Sequence, residues 1–175
     1  MICKPFNGKK PKIHPSARIA ENAVLIGDVT VGADVSIWYG AAVRGDTAPI
    51  VLGDGCNVQD NCVIHGSEGY PVSVGKNVTV GHGAIIHGCT IADDCLIGMG
   101  ATVLNGANIG SFSVVGACAL VTERKEIAPY SLVVGVPAKV VKTYEGEDAE
   151  KVKANIEDNA AVYRAEGAAQ LPCIE

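Results

Sequence analysis

The chain has 175 residues, enough for one domain with a sizeable core. Gly is abundant at 21 residues, aromatics make up only 5% and hydrophobic residues 48%, so the core must be built from small and β-branched side chains rather than rings. A net charge of −5 and the lack of any run of about 20 apolar residues argue against nucleic acid, an anionic lipid surface or a membrane span as partners.

The first eleven residues carry lysines but no apolar run, so no signal peptide is expected and the predicted compartment is the cytoplasm. The segment 4–12 is expected to cap the N-terminal end of the fold. From Ile13 the branched aliphatics recur every six residues: Ile13, Ile19, Leu25, Val31, Ile37 and Val43. After three extra residues the series resumes at Leu52, Val58 and Ile64, and after four more at Val74, Val80 and Ile86. One residue is then dropped, and Ile91 opens a run that ends at Val133. The fourth residue after each aliphatic is usually small, as at Ala41, Cys62, Ala84 and Ala101.

A period of six fits neither a helix nor a simple strand alternation. It fits a short strand and a tight corner, taken three times per coil, with the aliphatic pointing inward and the small residue beside a corner. The predicted fold is an all-β solenoid, a parallel β-helix of about six coils, roughly 30 Å tall at ~4.8 Å per rung. It occupies residues 1–142 with an N-terminal cap. Residues 143–175 form the second unit: Ala149, Val152, Ile156, Ala160 and Tyr163 fall at steps of three and four, which predicts an amphipathic α-helix over about 147–166, packed on the solenoid.

The cysteines obey the repeat. Cys56, Cys62 and Cys95 take the small interior slot that Ala fills elsewhere, which makes them buried small residues rather than thiolate ligands. The histidines break it. His65 and His87 each come directly after a repeat aliphatic, and their separation of 22 is one coil plus the four-residue insertion, so they share a slot on neighbouring rungs. About 4.8 Å apart at the backbone, two such imidazoles can meet one ion at ~2.0–2.1 Å each. His82 lies five residues before His87 on the adjoining side, up to ~16 Å away along extended chain. A second copy of the chain in a closed three-fold ring can supply it instead. Three neutral imidazoles with an open fourth position are the ligand set of a catalytic zinc. His14 reads as a surface residue. Arg44 and Gln59 also come directly after repeat aliphatics, and Arg44 with Asp46 and Asp60 can form charge-assisted pairs, whether for chemistry or as an interface salt bridge alone.

Arg44-Gly45-Asp46, Asn57-Val58-Gln59-Asp60-Asn61-Cys62-Val63-Ile64-His65 and Val80-Gly81-His82-Gly83-Ala84-Ile85-Ile86-His87-Gly88-Cys89 together resemble the signature of the gamma-class carbonic anhydrase family. The resemblance spans residues 11–163. It implies that the β-helix is left-handed and that a homotrimer binds Zn2+ (or Fe2+ or Co2+) through His65, His82 and His87 across its interfaces. It further implies that Gln59 orients the metal-bound water with support from Asn57, and that Arg44, Asp46 and Asp60 form an intersubunit ion network beside bicarbonate. Tyr163 matches the tyrosine that the C-terminal helix brings to the site, and Glu68 the position of the shuttle glutamate. In such a site zinc lowers the pKa of its water to about 7, a magnitude established on carbonic anhydrase itself, and the hydroxide attacks carbon dioxide to give bicarbonate. Two departures bear on proton export and substrate orientation: only residues 47–50 separate Asp46 from Val51 where prototype members carry an acidic loop, and Ala165 stands where they have Asn. Two other functions stay open: an acyl-CoA thioesterase or acyltransferase of the same superfamily, and a non-catalytic trimer that a metal merely clamps.

Overall fold

The repeat aliphatics from Ile19 to Val133 are all buried, and the small residues from Ala17 to Ala119 lie inside with them. Each of these aliphatics lies in a strand, most of them only two or three residues long, and the chain lays the next turn parallel to it and in register. The computed structural model, which describes residues 1–173, is a parallel β-solenoid of about seven turns ending in one helix.

Three inward columns form the core. On the first face Cys3, Leu25, Val43, Ile64, Ile86, Val103 and Val121 stack one above another. The second face runs from Ile13 to Ile127 and the third from Ile19 to Val133 in the same way. Each buried Val, Leu or Ile contributes about 1.5–3 kcal/mol, so the stack compensates for the scarcity of rings. Strands Val24–Val31 and Ala42–Leu52 run on around the corner between the first and second faces, and residues 47–50, expected as a short loop, lie within the second of them.

The six coils counted from the period gain a rung at the N-terminus. Strand Ile2–Lys4 pairs with the start of Val24–Val31, so this segment continues the solenoid, and only residues 6–9 form a small hairpin at the corner. A second hairpin of the same form, residues 67–70, occupies the four-residue insertion. At the other end, strand Lys139–Thr143 pairs antiparallel with Ser131–Val134 and closes the last turn.

Helix α1 (Gly146–Gln170) then folds back along the third face, touching strands Ser36–Ile37, Asn57–Val58 and Thr79–Val80. It buries Val152, Ile156, Ala160 and Gly167, the stripe that the spacing predicts, extended by one turn. Gly167 is required by contact: a Cβ there would stand 2.8 Å from the Cβ of Ser36. Among the described residues no helix is long and apolar enough to cross a membrane.

Candidate metal centre

The pairing of strand Val63–His65 with Ile85–His87 sets His65 beside His87 on the outer side of the first face, and Arg44 one rung before them. His65 Nδ1 and His87 Nε2 face each other at 3.1 Å. The opposite nitrogen of each ring is engaged by an oxygen. His87 Nδ1 donates to Asn105 Oδ1 at 2.7 Å, and His65 Nε2 donates to Asp46 Oδ1 at 3.0 Å. With their far nitrogens donating to these oxygens, the two facing nitrogens are left as acceptors, a pairing that suits a cation between them. Two nitrogens on one tetrahedral ion, each 2.0–2.1 Å from it, stand about 3.3 Å apart, close to the distance seen. The donor set fits a metal.

Asp46 is also held by Arg44, whose Nη1 donates to Oδ2 at 3.0 Å. Burial works against the Asp46 carboxylate, but the hydrogen bond from His65 and the charge of Arg44 outweigh it and keep its pKa below the ordinary value. Arg44 Nη2 also lies 3.3 Å from His65 Nε2, the longer of that nitrogen's two contacts.

His82 sits at the corner after strand Thr79–Val80, with Nδ1 2.9 Å from Asp60 Oδ2, which leaves Nε2 free to ligate. Within one chain Asp60 thus pairs with His82, whereas Arg44 and Asp46 pair on the first face. Among the described residues of a single chain, no three His, Cys, Asp or Glu side chains converge on one point. Glu68 is exposed at the tip of the 67–70 hairpin, whose Tyr70 hydroxyl accepts a 2.8 Å bond from Arg124.

Gln59 and Asn57 are buried on the third face under α1. Gln59 Oε1 accepts from the backbone N–H of His82 at 3.0 Å, and its Nε2 donates to Asn57 Oδ1 at 3.0 Å. Gln59 and His82 line a cavity of about 200 Å³ together with Gly98, Met99, Asn159 and Tyr163. Tyr163 stands edge-on to Trp38, with centroids 5.9 Å apart. Burial raises its phenol pKa, reinforced by the negative charges of Glu166 and Asp60, so it stays protonated at neutral pH.

The repeat does not signal Asn105, Thr79 or Asn159. Asn105 falls at a corner, where Asn is common for its turn geometry, and nothing local marks it as the partner of His87.

No family model matches the chain. A probable carbonic anhydrase of Methanocaldococcus jannaschii is 52% identical over 143 residues, covering 82% of this chain and 90% of that one. The chain belongs to the gamma carbonic anhydrase-like family of hexapeptide-repeat proteins. Gamma carbonic anhydrase 1, mitochondrial, of Arabidopsis thaliana is 36% identical over 176 residues, with 95% of this chain aligned to 64% of the longer plant protein. The hexapeptide transferase family protein of Anaplasma phagocytophilum superposes with a TM-score of 0.91 at 35% identity, over 97% of this chain and 98% of that one. The likeness identifies the solenoid as the left-handed parallel β-helix, and the curated relatives place this gamma carbonic anhydrase-like protein among carbonic anhydrase-like lyases, for which carbon dioxide hydration is the family-level reaction.

Its buried cysteines take no part in the centre. Burial pushes the thiols of Cys56, Cys89 and Cys95 up to about 12 and that of Cys62 to about 11. An unfolded chain ionises its thiols from about pH 9 while the folded chain keeps these four protonated. Their contribution to stability is therefore complete below pH 9 and is lost as pH climbs from 9 toward 12. At pH 8 a thiol reagent is expected to label the exposed Cys118 and Cys173 quickly and these four only after unfolding, as peptide mass spectrometry would resolve.

Proposed function

We propose that this protein catalyses the reversible hydration of carbon dioxide to bicarbonate with a divalent ion, Zn2+ in the first instance and Fe2+ or Co2+ as alternatives. His65 and His87 of one chain and His82 of a second copy in a homotrimer hold the ion. The observation that carries this reading is the pair of imidazole nitrogens facing at 3.1 Å, each ring held at its other nitrogen by an oxygen. His82 repeats the pattern, with Asp60 behind it and Nε2 free.

When bound, the ion supplies the Lewis acidity that makes water nucleophilic near neutral pH. The remaining work falls to the chain. Gln59, with one lone pair and one N–H unused after its two bonds, orients the attacking water, and Asn57 holds Gln59. Arg44 offers its guanidinium to bicarbonate, and the protonated Tyr163 donates into the cavity. Glu68, in solvent at its hairpin tip, passes the released proton to buffer. With all seven cysteines unpaired, we place the reaction in the reducing cytoplasm.

Stopped-flow carbon dioxide hydration on protein of assayed metal content is expected to show turnover proportional to bound metal and abolished by chelation. A full metal complement without turnover would overturn the reading. It would turn attention first to thioester hydrolysis, consistent with the transferase name of the structural relative, and then to a metal that only clamps the trimer.

A further inference from the structure

We infer that Thr79 and Asn159 are positioning residues for Gln59, so that helix α1 helps to aim the side chain that holds the attacking water. The inference rests on the functional reading above and extends it from Asn57 into the helix.

Four side chains are joined in one direction. The backbone N–H of His82 donates to Gln59 Oε1 at 3.0 Å, Gln59 Nε2 to Asn57 Oδ1 at 3.0 Å, Asn57 Nδ2 to Thr79 Oγ1 at 2.8 Å, and the Thr79 hydroxyl to Asn159 Oδ1 at 3.0 Å. Gln59, Asn57 and Thr79 are at most 4% exposed, so water cannot readily substitute for a missing partner. The orientation of the two buried amides comes from chemistry. A backbone N–H can only donate, which turns the oxygen of Gln59 toward His82 and its nitrogen toward Asn57. The nitrogen of Asn57 must then face Thr79, whose hydroxyl accepts there and so turns its own proton toward another acceptor. Asn159 Oδ1 is that acceptor. Reversing Gln59 or Asn57 sets donor against donor at the next link.

The neighbouring rungs show that this is a local device. The slot of Asn57 and Thr79 holds Leu96, Val114 and Leu132 on the next three turns, side chains suited only to packing, and Ser36 on the turn before, whose hydroxyl accepts from Trp38 Nε1 and makes no bond to the relay. The polar relay is therefore confined to the rungs beside Gln59 and His82 and ends on the one helix residue that can receive its proton.

The test compares wild type with Thr79→Val, Thr79→Ser, Asn159→Leu and Asn159→Asp. Each full-length protein is assayed for metal content, for kcat and KM, and, metal-free, for the side-chain amide signals of Gln59 in a 1H–15N spectrum assigned with Gln59→Glu. Thr79→Val and Asn159→Leu are expected to lower kcat on the order of tenfold with KM changed less than about twofold, and to shift the Gln59 signals. Thr79→Ser and Asn159→Asp, which keep the donor and the acceptor, restore both readouts. If Thr79→Val does not fold, Asn159→Leu carries the test from the half-buried helix side. Unmoved Gln59 signals in Asn159→Leu would overturn the inference, as would failure of the conservative variants to restore them. The amide readout needs no turnover, so absence of hydration in metal-loaded wild type would count against the proposed function alone.

Discussion

Mixing His65→Ala with His82→Ala protein is expected to restore carbon dioxide hydration that neither variant shows alone, to about a quarter of the wild-type rate per chain. The arithmetic comes from a closed ring in which each centre takes two ligands from one chain and the third from the next. After full subunit exchange of a 1:1 mixture, about three quarters of the trimers are mixed, and each has one centre of three whose ligands are all intact. A second mixture supplies the control. His65→Ala with His87→Ala should restore nothing, because in the proposed site both ligands come from the same chain, on adjacent rungs paired His87 to His65 in the ladder. Metal content should track activity in both mixtures. The expectation rests on the proposed sharing of ligands, because within one chain His82 sits at its own corner with Asp60 while His65 and His87 face each other. Two results would sink it: His82→Ala protein that keeps its metal and its turnover, or a metal-loaded monomer.

That the two mixtures can be specified at all reflects how much a six-residue period reveals. Once the inserted and deleted residues are discounted, the period gives the register, and register alone places Arg44, His65 and His87 in one outward slot. Where the period is silent, the structure adds residues. Strand Ile2–Lys4 escapes the period because its single inward residue is Cys3 rather than an aliphatic and a polar hairpin separates it from Ile13. The ring-fixing role of Asn105 is invisible in sequence because an Asn at a corner looks like any other turn residue. Asn159 lies 80 residues from Thr79, and only the docking of α1 brings them together. Long-range polar contacts leave no periodic trace in a sequence, whereas burial does.

Ile64→Ala is expected to cost about 2–5 kcal/mol, and its neighbour Val63→Ala less than about 1 kcal/mol in the isolated chain. Ile64 is fully buried between Val43 and Ile86 in the first inward column, so truncation opens a cavity that rigid ladders above and below cannot collapse to fill. For a chain of this size the melting temperature should fall by roughly 5–15 °C. Val63 points the other way, 39% exposed on the outer surface of the same strand, as does Ile85 one rung further, also 39% exposed. These two apolar side chains flank His65 and His87, on the face that the proposed trimer covers. Val63→Ala should therefore leave the thermal transition of dilute, dissociated chains nearly unchanged and raise the concentration at which trimers assemble, measured by sedimentation. Adjacent residues thus separate folding from assembly. Equal losses in the two variants would mean that the strand does not sit in this register, because a slip of one residue exchanges its inner and outer faces.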